Sequence, residues 1–425
     1  MKRTIRLAVV AALALGATSA FATNGDHMIG LSADSRALGG TGVAMFTGSA
    51  NALTNPALVA KTKSNSEFNF GGTIFMPKVS SSSTKGAVGA IGTGVDKTSN
   101  QQLSMIPVIS LSHRINDKMV FSLGMFGTAG MGTDYRGSQG VNNATGNVDL
   151  YNMRSSLMLM QFAPSLAYGT DTFGVGVTGI AQYGTLSIDF DQNPTTHIGN
   201  GPSDDYGFGF QLGAYYNPMK ALTIGAVYKS SIEMNYRDQI SKAAAAFGYG
   251  ANVAGGGLAA KGDELEQPAE YGIGIAYDMD KMTYTMDFKQ IQWGDAKGYK
   301  DFGWENQTVY ALGVRYKTDK FWLGGGFNYG KNPIPDNKST KSVAGGANTD
   351  GDTMNMFNYV MFPATVESTI TFGGGYSLSK NLALDMAFTY APETSNTVSA
   401  KTVGAGDITT KHQQTAITVA AKFEF

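Results

Sequence analysis

Period-two alternation of apolar and polar side chains recurs down most of this chain. It limits the fold to a sheet whose two faces differ chemically. In the segment from Thr365 to Leu378, one face reads Val366, Ser368, Ile370, Phe372, Gly374, Tyr376 and Leu378. The other reads Thr365, Glu367, Thr369, Thr371, Gly373, Gly375 and Ser377. Beyond the polar turn Ser379-Lys380-Asn381, Leu382, Leu384, Met386, Phe388 and Tyr390 alternate with Ala383, Asp385, Ala387 and Thr389. Fourteen such segments begin near Glu67, Gln102, Met119, Ser155, Thr172, Tyr206, Leu222, Gln267, Met282, Gln307, Phe321, Thr365, Leu382 and Thr415. Hydrocarbon offers no hydrogen-bond partner, so a sheet with a lipid-facing side must close on itself. An even strand number fits such closure.

The totals agree with a lipid-facing sheet. Glycine is 55 of 425 residues and charged residues are 15%. An average soluble domain has about 7% glycine and about 25% charge. The chain opens with Lys2, Arg3 and Arg6, then the apolar run Leu7 to Ala17 and the Ala20-Phe21-Ala22 cleavage pattern. That is a secretory address over 1–22, too short to cross a bilayer as a helix, which takes roughly 20 apolar residues. Short connections such as Asn116-Asp117-Lys118 and Gly169-Thr170-Asp171 alternate with long ones such as Lys331 to Pro363. Outer-membrane barrels place short turns in the periplasm and long loops outside. The last strand carries Ile417, Val419, Ala421, Phe423 and the terminal Phe425 on one face. The reading is an all-β, 14-stranded antiparallel transmembrane barrel over 64–425, in the outer membrane of a Gram-negative cell.

Residues 23–63 do not alternate. They are too apolar and too rich in glycine for a flexible polar tail. The economical expectation is a plug, or hatch, folded inside the barrel. The segment carries Asn24-Gly25, then Gly30-x-Ser32-x-x-Ser35-x-Ala37-x-Gly39-Gly40-x-Gly42-Val43-Ala44, then Asn55-Pro56-Ala57-Leu58. Further along stand Gly130-Met131-Gly132-Thr133-Asp134-Tyr135, Pro164-Ser165-Leu166-Ala167-Tyr168, Ala226-Val227-Tyr228-Lys229-Ser230 and Leu312-Gly313-Val314-Arg315-Tyr316. With these motifs the whole mature chain resembles the FadL/TodX family of outer-membrane transporters of hydrophobic compounds. The resemblance implies fourteen strands, an N-terminal hatch and a monomer. It also implies uptake of long-chain fatty acids or hydrocarbons, with lateral release through a window beside a kinked third strand.

Candidate pocket residues in the hatch are Met28, Ile29, Leu31, Leu38, Met45 and Phe46; methionine suits irregular apolar surfaces. Asn55, Pro56 and Ala57 form the family's hatch motif, read physically as a rigid turn. The window is expected at Phe126, Gly127, Thr128, Ala129 and Gly130, because glycines within a strand often mark bends. Pro107 and Pro164, in the strands on either side, each lack a ladder donor. Among the inward charges Lys229, Glu233, Glu270, Asp287, Lys289, Arg315, Glu367 and Asp385, a structural network is the plainer reading. Lys289 and Arg315 are the possible partners of a ligand carboxylate. The resemblance leads one to seek a basic group near the end of strand five, where this chain reads Ser187-Ile188-Asp189-Phe190; that keeps an uncharged hydrocarbon open.

Enzyme signals are faint. His27, His113, His197 and His412 show no metal-ligand spacing, and there is no cysteine, so no metal, cofactor or catalytic site is expected. Gly174-Val175-Gly176-Val177-Thr178-Gly179 fits G-x-G-x-x-G but opens no helix. A net charge of −1 gives no reason to expect nucleic acid. The expected partners are a hydrophobic small molecule, outer-membrane lipid and lipopolysaccharide, and the barrel assembly machinery. The competing function is a porin with an open polar channel, which needs no hatch.

Overall fold

The computed structural model describes residues 24–83, 97–137, 149–193, 195–251, 258–338, 350–401 and 406–425. The secretory address at 1–22 lies outside them.

Fourteen antiparallel strands form one closed barrel. They are β1 (Ser66–Ser83), β2 (Ser104–Arg114), β3 (Met119–Met131), β4 (Arg154–Gly169) and β5 (Phe173–Asn193). Next come β6 (Ser203–Met219), β7 (Leu222–Lys229), β8 (Glu270–Met279), β9 (Met282–Ile291) and β10 (Gln307–Lys317). The last are β11 (Phe321–Gly330), β12 (Ser368–Ser377), β13 (Leu382–Ala400) and β14 (Gly406–Glu424). Each pairs with its sequence neighbour, and β1 closes on β14 from Glu67–Glu424 to Ser83–Ile408. Each of the fourteen expected segments is one of these strands. Several strands run well past the roughly 9 to 11 residues a bilayer needs, to 21 in β5.

Side chains divide as the alternation requires. Phe70, Ile74, Phe208, Ile273, Leu323, Phe372 and Val419 are exposed on the outer face. Thr73, Thr178, Gln182, Thr285, Thr371 and Thr418 are buried on the inner one. Inward polar groups bond across the ladder, as Thr73 Oγ1 does with Thr418 Oγ1 at 2.8 Å.

The N-terminal segment fills the barrel interior. Helix α1 (Ala33–Ala37) packs on β11 to β14. Two 3₁₀ helices, Gly48–Leu53 and Pro56–Lys61, pack on β1 to β4 and on β3 to β6 respectively. Ser32 caps α1 by accepting the Ser35 amide at 3.3 Å, and Ser35 Oγ donates to the Thr41 carbonyl at 2.7 Å. Asn55 holds the second 3₁₀ helix: its Oδ1 accepts the Ala57 amide at 3.1 Å. Its Nδ2 donates to the carbonyls of Val43 at 2.6 Å and Ala214 at 3.0 Å.

Inward glycines of the wall let this segment come close. A Cβ at Gly176 would lie 2.5 Å from the Ala57 nitrogen and the Pro56 carbonyl carbon, and one at Gly213 would meet Asn55. Backbone cannot yield as a side-chain tip can. Gly176→Val is therefore expected to cost several kcal/mol, on the order of 3. In a gel-shift melt of the folded barrel, it should lower the midpoint by several degrees. An unchanged midpoint would show that the segment is not packed on the wall here.

Long connections cover the end opposite the short turns. The β7–β8 connection contains α2 (Ile240–Ala246). The β11–β12 connection contains α3 (Asp350–Met356) and a π-helical turn, Phe357–Met361. That turn is pinned into the mouth. Thr133 Oγ1 donates to the Val360 carbonyl at 2.8 Å, and Thr410 Oγ1 to the Tyr359 carbonyl at 2.7 Å.

Candidate functional site: two cavities and a break in the wall

A narrow outer cavity of about 30 Å³ lies under the long loops. Met131, Leu186, Ile188, Tyr299, Trp304 and Phe357 are among its lining residues. Its aromatics come largely from the β9–β10 loop, where Trp293, Tyr299 and Trp304 stack with centroids 4.7 to 5.3 Å apart. Asn358 also lines it, but the amide is engaged. Trp304 Nε1 donates to Asn358 Oδ1 at 3.1 Å, and Asn358 Nδ2 donates to the Phe302 carbonyl at 2.8 Å. The Tyr299 hydroxyl donates to the Asp26 carboxylate. The surface left for a ligand is apolar.

An inner cavity of about 70 Å³ lies between the N-terminal segment and the wall. Met28, Leu31 and Leu53 line it with Thr128, Lys229, Glu270 and Lys289. Lys229 Nζ is 3.4 Å from Glu270, and His27 Nδ1 is also 3.4 Å from Glu270. This cavity is therefore mixed, with an apolar floor and a charged flank.

Between the two stand residues 25–28. Asp26 is wholly buried, and burial pushes its carboxyl up from the usual carboxylate range. Besides Tyr299, it accepts Gln267 Nε2 at 3.2 Å. His27 Nε2 is 2.9 Å from Gln267 Oε1, and its ring stacks on Trp293 at 4.8 Å.

The wall beside this cavity is broken. The β2–β3 ladder stops at the Val108–Phe126 pair, although β3 runs on to Met131 and β2 starts at Ser104. Opposite β4, β3 shifts register between Gly127 and Ala129. The freed edge of β3 is taken by the N-terminal segment. Met28 N donates to the Thr128 carbonyl at 3.0 Å, and Gly130 N donates to the Asp26 carbonyl at 3.1 Å.

The expected site residues fall in distinct places. Met28 and Leu31 line the inner cavity. Ile29 is buried against Gly40 within the segment, and Leu38 against Gly313, Gly324 and Gly326 of the wall. Met45 and Phe46 line a third cavity of about 470 Å³ at the short-turn end. Arg315 lies there too, whereas Lys289 is on the inner cavity, so the two basic residues do not share a site. Asn55, Pro56 and Ala57 sit against Gly176 and Gly213. At the break, Phe126 is buried, Gly127 abuts Ile106, Thr128 lines the inner cavity, and Ala129 and Gly130 meet residues 26–28.

Two expectations need correction. Pro164 still pairs with Leu123 of β3, and the ladder it interrupts is the one to β5, between Phe162–Ala181 and Ser165–Thr178. Its missing donor faces away from β3, so Pro107 alone borders the break. Glu233 is not inward; it is exposed in the β7–β8 connection and pairs with Lys297 at 2.8 Å. Asp287 is inward as expected, and accepts the amides of Gly42 at 2.7 Å and Val43 at 2.9 Å. Sequence reasoning missed Asp26, Gln267 and the aromatic loop. The signal was four large aromatics, Trp293, Tyr299, Phe302 and Trp304, within one long connection.

The family model for the outer membrane protein transport protein (OMPP1/FadL/TodX) matches residues 7–425. The chain belongs to this family. It is an outer-membrane protein of the transport class. A 47 kDa outer membrane protein of Pasteurella multocida is 24% identical over 201 residues, 46% of this chain and 45% of that protein. The chain thus spans about half the length of that relative. The Pseudomonas putida toluene transporter TodX superposes with a TM-score of 0.66 at 17% identity, covering 93% of this chain and 99% of TodX. A Pseudomonas aeruginosa FadL homologue gives 0.67 at 15% identity, covering 94% and 100%. The Ralstonia pickettii toluene transporter TbuX gives 0.62 at 17% identity, covering 93% and 99%. At these identities the likeness is one of fold.

Proposed function

We propose that this protein passes hydrophobic molecules across the outer membrane by passive binding, first in the outer cavity, then in the inner one, with lateral release through the wall. The observation that carries the reading is the break between β2 and β3 beside a cavity that Thr128 of β3 itself lines. In this reading residues 23–63 act as a hatch that excludes water and ions. Apolar burial at roughly 25 cal/mol per Å² supplies affinity without an energy source. The protein works as a monomer, inserted by the barrel assembly machinery and surrounded by lipid and lipopolysaccharide.

The chemistry of the outer cavity favours uncharged hydrocarbons, because its polar groups are already bonded. TodX and TbuX are toluene transporters, and a neutral aromatic suits the ring-lined space here as well. A second reading rests on Lys289. A fatty acid with its chain in the inner cavity places its carboxylate near that ammonium, beside the Lys229–Glu270 pair.

Uptake of labelled toluene and labelled oleate by cells with and without the gene tests the function. Loss of neither on deletion would end the proposal. Lys289→Ala separates the two readings. A charge-assisted contact of about 1.5–3 kcal/mol corresponds to a roughly tenfold or larger weakening for oleate, with toluene unchanged. Equal effects on both would remove the carboxylate role.

A further inference from the structure

The lipid-facing side of the wall has a hollow where a row of large side chains is interrupted. Along β1 the outward row reads Phe70, Gly72 and Ile74, with Phe70 and Ile74 exposed. Gly72 pairs with Pro107 of β2 on one side and with Val419 of β14 on the other. Glycine leaves a floor between these two compact residues, and the exposed side chains of Met105 and Leu384 rise at the flanks. The result is a groove of about 530 Å³, larger than the three interior cavities above. None of its lining residues is charged. Its one polar side chain, Thr73, is turned inward and bonded to Thr418.

The shape suits a chain. Four residues of strand from Phe70 to Ile74 span about 13 Å, and β14 and β2, one strand apart on either side of β1, are about 10 Å from each other. What surrounds this face is membrane hydrocarbon. Lipid tails are as apolar as leucine, so water exclusion favours no part of the face over another, and packing decides. On a flat wall a hydrocarbon chain touches protein along one side. In the groove it touches along three, and every added carbon contact contributes dispersion. The groove also borders the break. Ile106 and Pro107 line it, and both lie in the start of β2 that has no partner in β3. Ile106 Cγ2 stands 2.5 Å from where Gly127 would carry a Cβ.

We propose that this groove is a binding site for the acyl chain of a membrane lipid, which backs the free start of β2 from the bilayer side. The proposal needs only the outer-membrane location of the barrel. It stands apart from the lateral-release reading, since either can fail while the other holds.

Photolabelling of the purified protein in phosphatidylethanolamine–phosphatidylglycerol vesicles tests the site. A minor fraction of the phosphatidylethanolamine carries a diazirine in mid-chain, and labelled peptides are mapped by mass spectrometry. The control face is β8, whose exposed row Tyr271, Ile273, Ile275 and Tyr277 has no glycine in it. About ten extra carbon contacts give a roughly tenfold preference, so labelling within 104–114 and 415–421 should exceed that within 270–279 by that factor. Gly72→Leu fills the hollow from its floor. A Cβ there meets only the Ile106 carbonyl oxygen, at 3.3 Å, so the variant should keep the gel shift of a folded barrel. Its groove labelling should fall to the β8 level, with β8 unchanged. Equal labelling of the two faces in the wild type, which needs no variant, would overturn the proposal. So would undiminished groove labelling in folded Gly72→Leu. Groove labelling that toluene removes while β8 keeps its own would assign the groove to released ligand. Groove labelling that falls as protein density in the vesicles rises would assign it to a second copy. Either result overturns the lipid site, while toluene uptake by Gly127→Val judges lateral release separately.

Discussion

Asp287→Ala is expected to turn this protein from a closed conduit into an ion-conducting pore. One carboxylate oxygen of Asp287 accepts both the Gly42 and the Val43 amides in the barrel interior. Alanine leaves two buried donors without an acceptor, at about 1–3 kcal/mol each. The other anchors of the N-terminal segment remain. Asn328 donates to the Gly39 carbonyl at 2.9 Å, Thr371 Oγ1 to the Ala37 carbonyl at 2.9 Å, and Asn55 Nδ2 to the Ala214 carbonyl at 3.0 Å. Residues 42–44 are thus loosened locally while the barrel, held by its ladders, stays closed. In a planar bilayer, steady conductance should rise about tenfold or more, since each 1.4 kcal/mol shifts a population tenfold. Asp287→Asn keeps an oxygen where both amides reach it and should conduct little more than wild type. Equal conductance for Asp287→Ala and wild type would show that these contacts do not hold the plug.

The second large effect is at the wall. Gly127→Val should lower toluene uptake about tenfold or more while the amount of folded barrel stays the same. A Cβ at Gly127 stands 2.5 Å from Ile106 Cγ2, a side-chain methyl and not backbone. Ile106 can move, so the cost to the fold is modest, within the roughly 1–3 kcal/mol of an overpacked site. The added methyls then occupy the space between β3 and the free start of β2. Gly127→Ala should give an intermediate value. A properly inserted valine variant with undiminished uptake would exclude passage at this break.

The strands were legible in the sequence because lipid imposes a rule with few exceptions. An outward side chain in β12 or β8 must be apolar, so Phe372 and Ile273 announce their own direction. The interior was legible only in part. Asn55-Pro56-Ala57 announces a turn, and the turn is there, but the wall glycines that receive it lie more than a hundred residues on. Asp26 and Gln267 are 241 residues apart, and no local pattern joins them. His27 looked like one of four scattered histidines. The aromatic loop has no periodicity to read, since it packs on a cavity and not on a sheet face. Pro164 shows the limit of composition: a missing donor is visible in sequence, but the strand it faces is not.

The interior segment also bears on how the cylinder comes to be closed. Pairing β1 with β14 joins residues 67 and 424, the most distant partners in the sheet. Such contacts form late, because the chain entropy of the intervening loop is lost before they return any energy. The first 3₁₀ helix leans on β1 to β4, and α1 leans on β11 to β14. In the folded barrel the forty residues ahead of β1 therefore touch both flanks of the seam. They tie the first and last edges of the sheet to one interior body, so the joint that local sequence contacts support least is backed from inside.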